Sequence, residues 1–182
     1  MRFERTGKVD PLSPKWRAFL LEALGGIDLD ETQSAEARRP DFACLSGLLV
    51  VEMKTLEEDG SERMENLTKE LQNRPDWPEF YGSAPVQAMA HHMDDPEAVI
   101  RKFIDRMGRA IINHLKKANK QLGAHAAAFP RKNQVRVMLL INEDHELFEP
   151  AAVTYVLRHA LQRRENGKPL YPNIDAVIYT TE

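Results

Sequence analysis

The sequence predicts an α/β fold, a mixed central β-sheet with helices on both of its faces. Three observations carry this. The stretch RPDFACLSGLLVVEMKT, residues 39–55, reads as a short apolar hairpin. QVRVMLLIN and IDAVIYT read as two further strands, and PAAVTYVLRHALQRR between them has helical periodicity. A strand–helix–strand passage sets its strands parallel, whereas a hairpin sets them antiparallel, so the sheet is mixed.

In chain order, SPKWRAFLLEALGG is predicted helical, with Ser13 as N-cap, Pro14 at the first helical position and glycines at the end. Trp16, Phe19, Leu20, Ala23 and Leu24 form its apolar stripe. IDLDETQSAEARR reads as one short strand followed by loop. After the hairpin, SERMENLTKELQN carries Met64, Leu67 and Leu71 at helical spacing. RPDWPEFYGSAPVQAMAHHMDDP is rich in proline and reads as an irregular excursion with one helical turn. The longest element is PEAVIRKFIDRMGRAIINHLKKANKQL, where Ile100, Phe103, Ile104, Met107, Ile111, Leu115, Ala118 and Leu122 sustain one apolar face. The last helix ends before Asn166-Gly167.

At 182 residues the chain is most simply one domain with a real core, and 42 % hydrophobic with 29 % charged residues is ordinary for a globular protein. Cys44 is the single cysteine, which excludes an internal disulfide and a cysteine-based zinc site. No apolar run has the length of a signal peptide's core or a membrane span, so a cytoplasmic protein is expected. The net charge of −3 hides an asymmetry: residues 101–136 carry ten basic side chains against Asp105 alone. Such an excess is usually a solvated helix face, but it can also attract a polyanion. Arg109, Lys116 and Lys120 are the basic residues best placed to meet phosphates.

The hairpin poses the chemical question, because an apolar strand pair accepts three charges at its open end. With Ser46-Gly47 as the turn, or with a four-residue loop from Leu45 to Leu48, Cys44 pairs with Leu49, Phe42 with Val51 and Asp41 with Glu52. An odd-length loop or a bulge would shift this register. The two carboxylates then stand opposite one another with Cβ atoms roughly 5 Å apart. Lys54 follows on the same face, while Phe42, Cys44, Leu49, Val51 and Met53 take the other. Like charges so placed destabilise a sheet, and Lys54 can neutralise only one of them. A divalent cation neutralises both, and carboxylate oxygens at this spacing suit Mg²⁺, with Mn²⁺ as a substitute. The bland alternative is a surface ion cluster.

Pro40-Asp41, followed on the next strand by Glu52-Met53-Lys54, resembles the PD-(D/E)xK phosphodiesterase superfamily, which has the restriction-endonuclease-like fold. The order of helices and strands around the motif agrees with that core over most of the chain. The resemblance implies a Mg²⁺-dependent nuclease acting on DNA, or on RNA. It implies that Asp41 and Glu52 ligate the metal, that the backbone carbonyl of Met53 adds a ligand, and that Lys54 positions or activates the attacking water. An ordinary ammonium, at about 10.4, is a poor base near neutrality, so positioning is the more natural role.

Two features depart from the family pattern. Many members place a glutamate on the first helix; Glu22 is available but lies roughly opposite the apolar stripe. Many carry Gln-x-x-x-Tyr after the motif, whereas Gln121 here is followed four residues later by His125. A module that keeps this fold and binds nucleic acid without cutting it is the alternative. The unusual 57–95 segment is a candidate insertion, which could contact a protein partner or a second copy of the chain.

Other residues invite attention less strongly. His91 and His92, beside Asp94 and Asp95, have the composition of a metal cluster but no ligand spacing. Trp77, Phe80 and Tyr81 could stack on bases, although aromatics in a proline-rich segment more often anchor it. Asn142 and Glu143, at the end of a strand, could approach a site there.

Overall fold

The computed structural model describes residues 11–32, 39–56, 61–79, 82, 86–143 and 148–181. The chain divides into two compact units. The first comprises residues 1–55, 121–144 and 174–182; the second comprises residues 56–120 and 145–173.

The first unit is built on a five-stranded mixed sheet. Its strands are β1 (Ile27–Asp28), β2 (Phe42–Cys44), β3 (Leu49–Leu56), β4 (Val135–Asn142) and β7 (Ala176–Thr181), adjacent in that order. β1 pairs antiparallel with β2, and β2 antiparallel with β3. β4 and β7 are parallel, with Val137 beside Ala176 and Asn142 beside Thr181. The hairpin register is the expected one: Phe42 faces Val51, Ala43 faces Val50 and Cys44 faces Leu49. Leu45–Leu48 form a four-residue loop, closed by the Leu48 N–H on the Leu45 carbonyl at 3.2 Å.

One face of this sheet is apolar. Phe42, Cys44, Val51, Val137, Leu139 and Ile141 pack with Leu20, and Leu12, Trp16, Leu21, Leu24, Leu49 and Met53 close around them. These residues place the first helix on that face. It differs from the expected helix at both ends. α1 (Leu12–Ala18) begins before Ser13, so Ser13 lies in its first turn and is not the cap. The Glu143 carboxylate serves instead, accepting the backbone N–H groups of Leu12 at 3.2 Å and Ser13 at 2.9 Å and the Ser13 hydroxyl. A negative group at a helix N-terminus satisfies free amides and opposes the helix dipole.

After Ala18 the helix widens into a π-turn, Phe19–Ala23, with Leu24 N–H bonded to the Phe19 carbonyl five residues back. The wider turn rotates the later residues relative to the α-helical pattern. Phe19, expected in the stripe, is therefore exposed, and Leu21 packs in its place. Gly26 then passes so close to the sheet that a Cβ there would lie 2.5 Å from the Leu20 carbonyl oxygen and 2.8 Å from Cys44 Sγ. A short helix, α2 (Leu29–Thr32), follows β1 directly where loop was expected.

The second unit contains α3 (Ser61–Gln72), α4 (Val86–Ala90), the part of α5 (Pro96–Ala128) up to Lys120, α6 (Pro150–Gln162) and a two-stranded ribbon of β5 (Arg164–Glu165) and β6 (Lys168–Pro169). Leu67, Leu71, Ala90, Met93 and Val99 form a buried cluster, with Trp77, Ile100 and Phe103 against it. The described part of the 57–95 segment thus has its own core, and Trp77 anchors it. Phe80, Tyr81 and the Met64 side chain lie outside the described residues. Arg74 grips Asp76 through two 2.8 Å bonds and reaches Asp95 at 2.7 Å, tying the start of the excursion to its end. The ribbon was not anticipated from the sequence; Asn166 and Gly167, with φ of +51° and +77°, make its turn.

Candidate functional site: three charges at the open end of a hairpin

Continuing the β2–β3 register by one residue sets Asp41 opposite Glu52, and by two sets Pro40 opposite Met53. The second pairing ends the ladder, because proline has no N–H to donate. The Met53 carbonyl is thereby left without a ladder donor, and the Met53 N–H goes to Asp41 Oδ2 at 2.6 Å. Asp41 is fixed from its other side as well, since its carbonyl accepts the Leu29 N–H at 2.9 Å. Gln121 Nε2 holds the Arg39 carbonyl at 2.9 Å, just before the Pro-Asp pair.

By strand alternation Asp41, Glu52 and Lys54 lie on the face opposite the Phe42–Val51–Met53 apolar layer. Glu52 is 0 % exposed, and the Lys54 ammonium lies against its Oε1. Apart from that ammonium, neither Glu52 oxygen has a hydrogen-bond partner among the described residues. A wholly buried carboxylate so poorly satisfied is costly as an anion. Burial pushes Glu52 up to about 8, the Asp41 charge pushes in the same direction, and Lys54 opposes both. Burial raises Asp41 too, against the Met53 N–H and Lys54, while Asp30 and Asp28 add to the rise.

Acids and cations continue around this centre. Asp28, also buried, accepts the Asp30 N–H at 2.9 Å and pairs with Arg17 at 2.9 Å. Asp30 pairs with Arg39 at 3.0 Å. Asp41 and Glu52 thus sit in a region where anions outnumber cations, which favours an added cation.

The other expected residues fall elsewhere. Glu22 is exposed on the π-turn, whose neighbours Leu20, Leu21 and Leu24 pack on the opposite face of the sheet, so it does not join Asp41 and Glu52. Asn142 is buried and reaches Thr181 Oγ1 at 3.4 Å, while Glu143 is spent on capping α1. Arg109, Lys116 and Lys120 are exposed on α5 and belong to the second unit. Their spacing of seven and four residues aligns them on one helix face. Lys102 and Arg106, by contrast, pair with Glu70. His91 and His92 are exposed in a turn, and Asp95 is taken by Arg74. Among the described residues there is no group of three or more histidine, cysteine, aspartate or glutamate side chains able to hold a metal ion. A cation at this site would rest on two carboxylates and backbone oxygen. The involvement of Gln121 and Asp28 was missed from sequence, because both act through contacts between residues distant in the chain.

The fold defines an α/β protein with a five-stranded mixed sheet. No protein-family model, curated protein or solved structure matches the chain. Among the described residues, no helix is long and apolar enough to cross a membrane.

Proposed function

We propose that the protein is a divalent-metal-dependent nuclease that hydrolyses phosphodiester bonds in DNA, with RNA as the less favoured substrate. The observation that carries this reading is the fully buried Glu52, whose oxygens have no hydrogen-bond partner among the described residues apart from the Lys54 ammonium, placed in register with a second carboxylate. Such a carboxylate pair fits Mg²⁺, which accepts few protein ligands and retains several waters. Asp41 and Glu52 would hold it. The Met53 carbonyl is available to it, because the residue opposite in register, Pro40, cannot donate a ladder bond.

The cation would supply charge compensation for the phosphoryl oxygens and raise the acidity of nearby water. The chain's own residues do the remaining work. Lys54 orients a water by donating to its oxygen and places positive charge beside the oxygens that gain negative charge. The water oxygen forms a bond to phosphorus and gives up a proton to solvent, the ester P–O bond breaks, and the departing oxygen takes a proton from solvent. The Met53 N–H keeps Asp41 aimed, so little reorganisation is needed.

A second reading has its own support. Lys54 already compensates Glu52, and no third acidic, histidine or cysteine ligand joins the pair among the described residues. On that reading the chain is a binding or assembly module whose basic α5 face carries nucleic acid without cutting it. Incubation with end-labelled linear, circular and single-stranded DNA, and with RNA, with and without Mn²⁺, separates the two. The nuclease reading expects Mn²⁺-dependent cleavage that Glu52→Gln abolishes; cleavage undiminished in that variant refutes it.

A further inference from the structure

The closed end of the β2–β3 hairpin is built unlike the rest of the sheet. Leu45 and Ser46 take φ of +51° and +56°, ahead of Gly47 at +83°. A left-handed backbone is disfavoured for leucine by its Cβ, so the fold imposes a conformation that the residue itself resists. At this tip Leu45 is 49 % and Leu48 44 % exposed.

The segment after α5 frames this tip. Arg131 donates to the Ser46 carbonyl, Gln134 Nε2 to the Gly47 carbonyl at 3.1 Å, and the Val135 N–H to the Leu48 carbonyl at 2.8 Å. A Cβ at Gly47 would lie 2.7 Å from Arg131 Nη1, so the guanidinium lies directly against the turn. Arg131 and Lys132 are both exposed. Residues 45–48 and 129–135 contain no acid.

Charge selects the partner. Exposed leucines alone would suit any apolar surface, but two cations with no acid among them suit an anionic one. A nucleic-acid duplex offers apolar base faces between regularly spaced phosphates, and proteins set leucines against its base steps while cations hold the flanking backbone.

We propose that the hairpin tip formed by Leu45, Leu48, Arg131 and Lys132 is a duplex-DNA contact, with the leucines against a base step and the cations on adjacent phosphates. The choice of DNA as the polyanion rests on the nuclease reading, whose site lies further along the same hairpin.

The test uses the full chain in EDTA with a short fluorescein-labelled DNA duplex, and with the same duplex carrying 2-aminopurine to report unstacking. Lys132→Gln is expected to lower the slope of log affinity against log salt by about one. Leu48→Ser is expected to weaken binding about tenfold and to reduce the 2-aminopurine signal. Leu45→Gly separates fold from contact: it relieves the left-handed backbone and raises Tm, yet weakens duplex binding. Wild-type affinity and salt slope in Leu45→Gly and Lys132→Gln overturn the tip contact, and the nuclease reading then stands or falls on the Glu52→Gln cleavage assay alone. Tip-dependent duplex binding by a chain that never cleaves supports the contact and removes the nuclease. Binding of phosphatidylserine vesicles through the same residues, without duplex binding, overturns the proposal in favour of a membrane surface.

Discussion

The Asp41 carboxylate accepts the Met53 N–H at 2.6 Å, taking the place of the ladder bond that would otherwise end the β2–β3 pair. Pro40, opposite Met53 in register, has no N–H to offer the Met53 carbonyl, so the ladder stops there while the Asp41 side chain holds the Met53 N–H. An acid is thereby held by the backbone opposite a second acid that the sheet buries.

Burial of Glu52 predicts how stability responds to pH. Its value in the fold, about 8, is raised from the ordinary 4.5, so without a divalent cation the folded chain binds a proton that the unfolded chain releases. The stabilising contribution is complete below about pH 4.5 and is lost as pH rises through 8. Asp41 is shifted in the same direction. At about 1.4 kcal/mol per unit the loss amounts to several kcal/mol. In EDTA, Tm should fall between pH 5 and 9, and Glu52→Gln should flatten much of that fall. Equal slopes in the two proteins would show that Glu52 is not the group responsible.

Lys54 counters the rise at Glu52, by charge and by direct contact. Lys54→Met should move the pH-dependent loss of stability upward, because Glu52 then holds its proton more tightly. It should also reduce Mn²⁺-dependent cleavage on the order of a hundredfold. An unchanged pH profile of Tm in Lys54→Met would mean that the ammonium does not act on Glu52 in solution.

The helix cap gives a prediction free of any functional reading. Glu143 serves two backbone amides of α1, so Glu143→Ala should cost about 1–2 kcal/mol in urea unfolding. Ser13→Ala removes only the hydroxyl contact and should cost less. A larger loss in Ser13→Ala would restore serine as the main cap.

The exposed stripe of Arg109, Lys116 and Lys120 should respond to salt if it follows a phosphate backbone. Lys116→Ala should lower the salt slope of DNA binding by about one. A complex whose affinity ignores salt would remove the stripe from the interface.

Much of this was legible in the chain. The hairpin register, the face shared by Asp41, Glu52 and Lys54 and the parallel pairing of the last strand all follow from period-two alternation and strand order. What was hidden came from contacts between distant residues and from deviations of the backbone. Nothing local in SPKWRAF says that a glutamate 130 residues away caps it. The π-turn that exposes Phe19 breaks the 3.6-residue spacing on which the stripe was read. The full burial of Glu52 required the packed sheet, since alternation assigns a face but not its solvent access. Glu22 illustrates the same limit, because its helix packs on the wrong side of the sheet to reach the acids.

The central claim, that Asp41 and Glu52 share one divalent ion, is tested most directly by isothermal calorimetry of the purified chain with Mn²⁺ near pH 8. The account predicts one-to-one binding in the wild type that is lost in both Asp41→Asn and Glu52→Gln while their circular dichroism is preserved. Binding that survives in either variant, or no heat in the wild type, would contradict it.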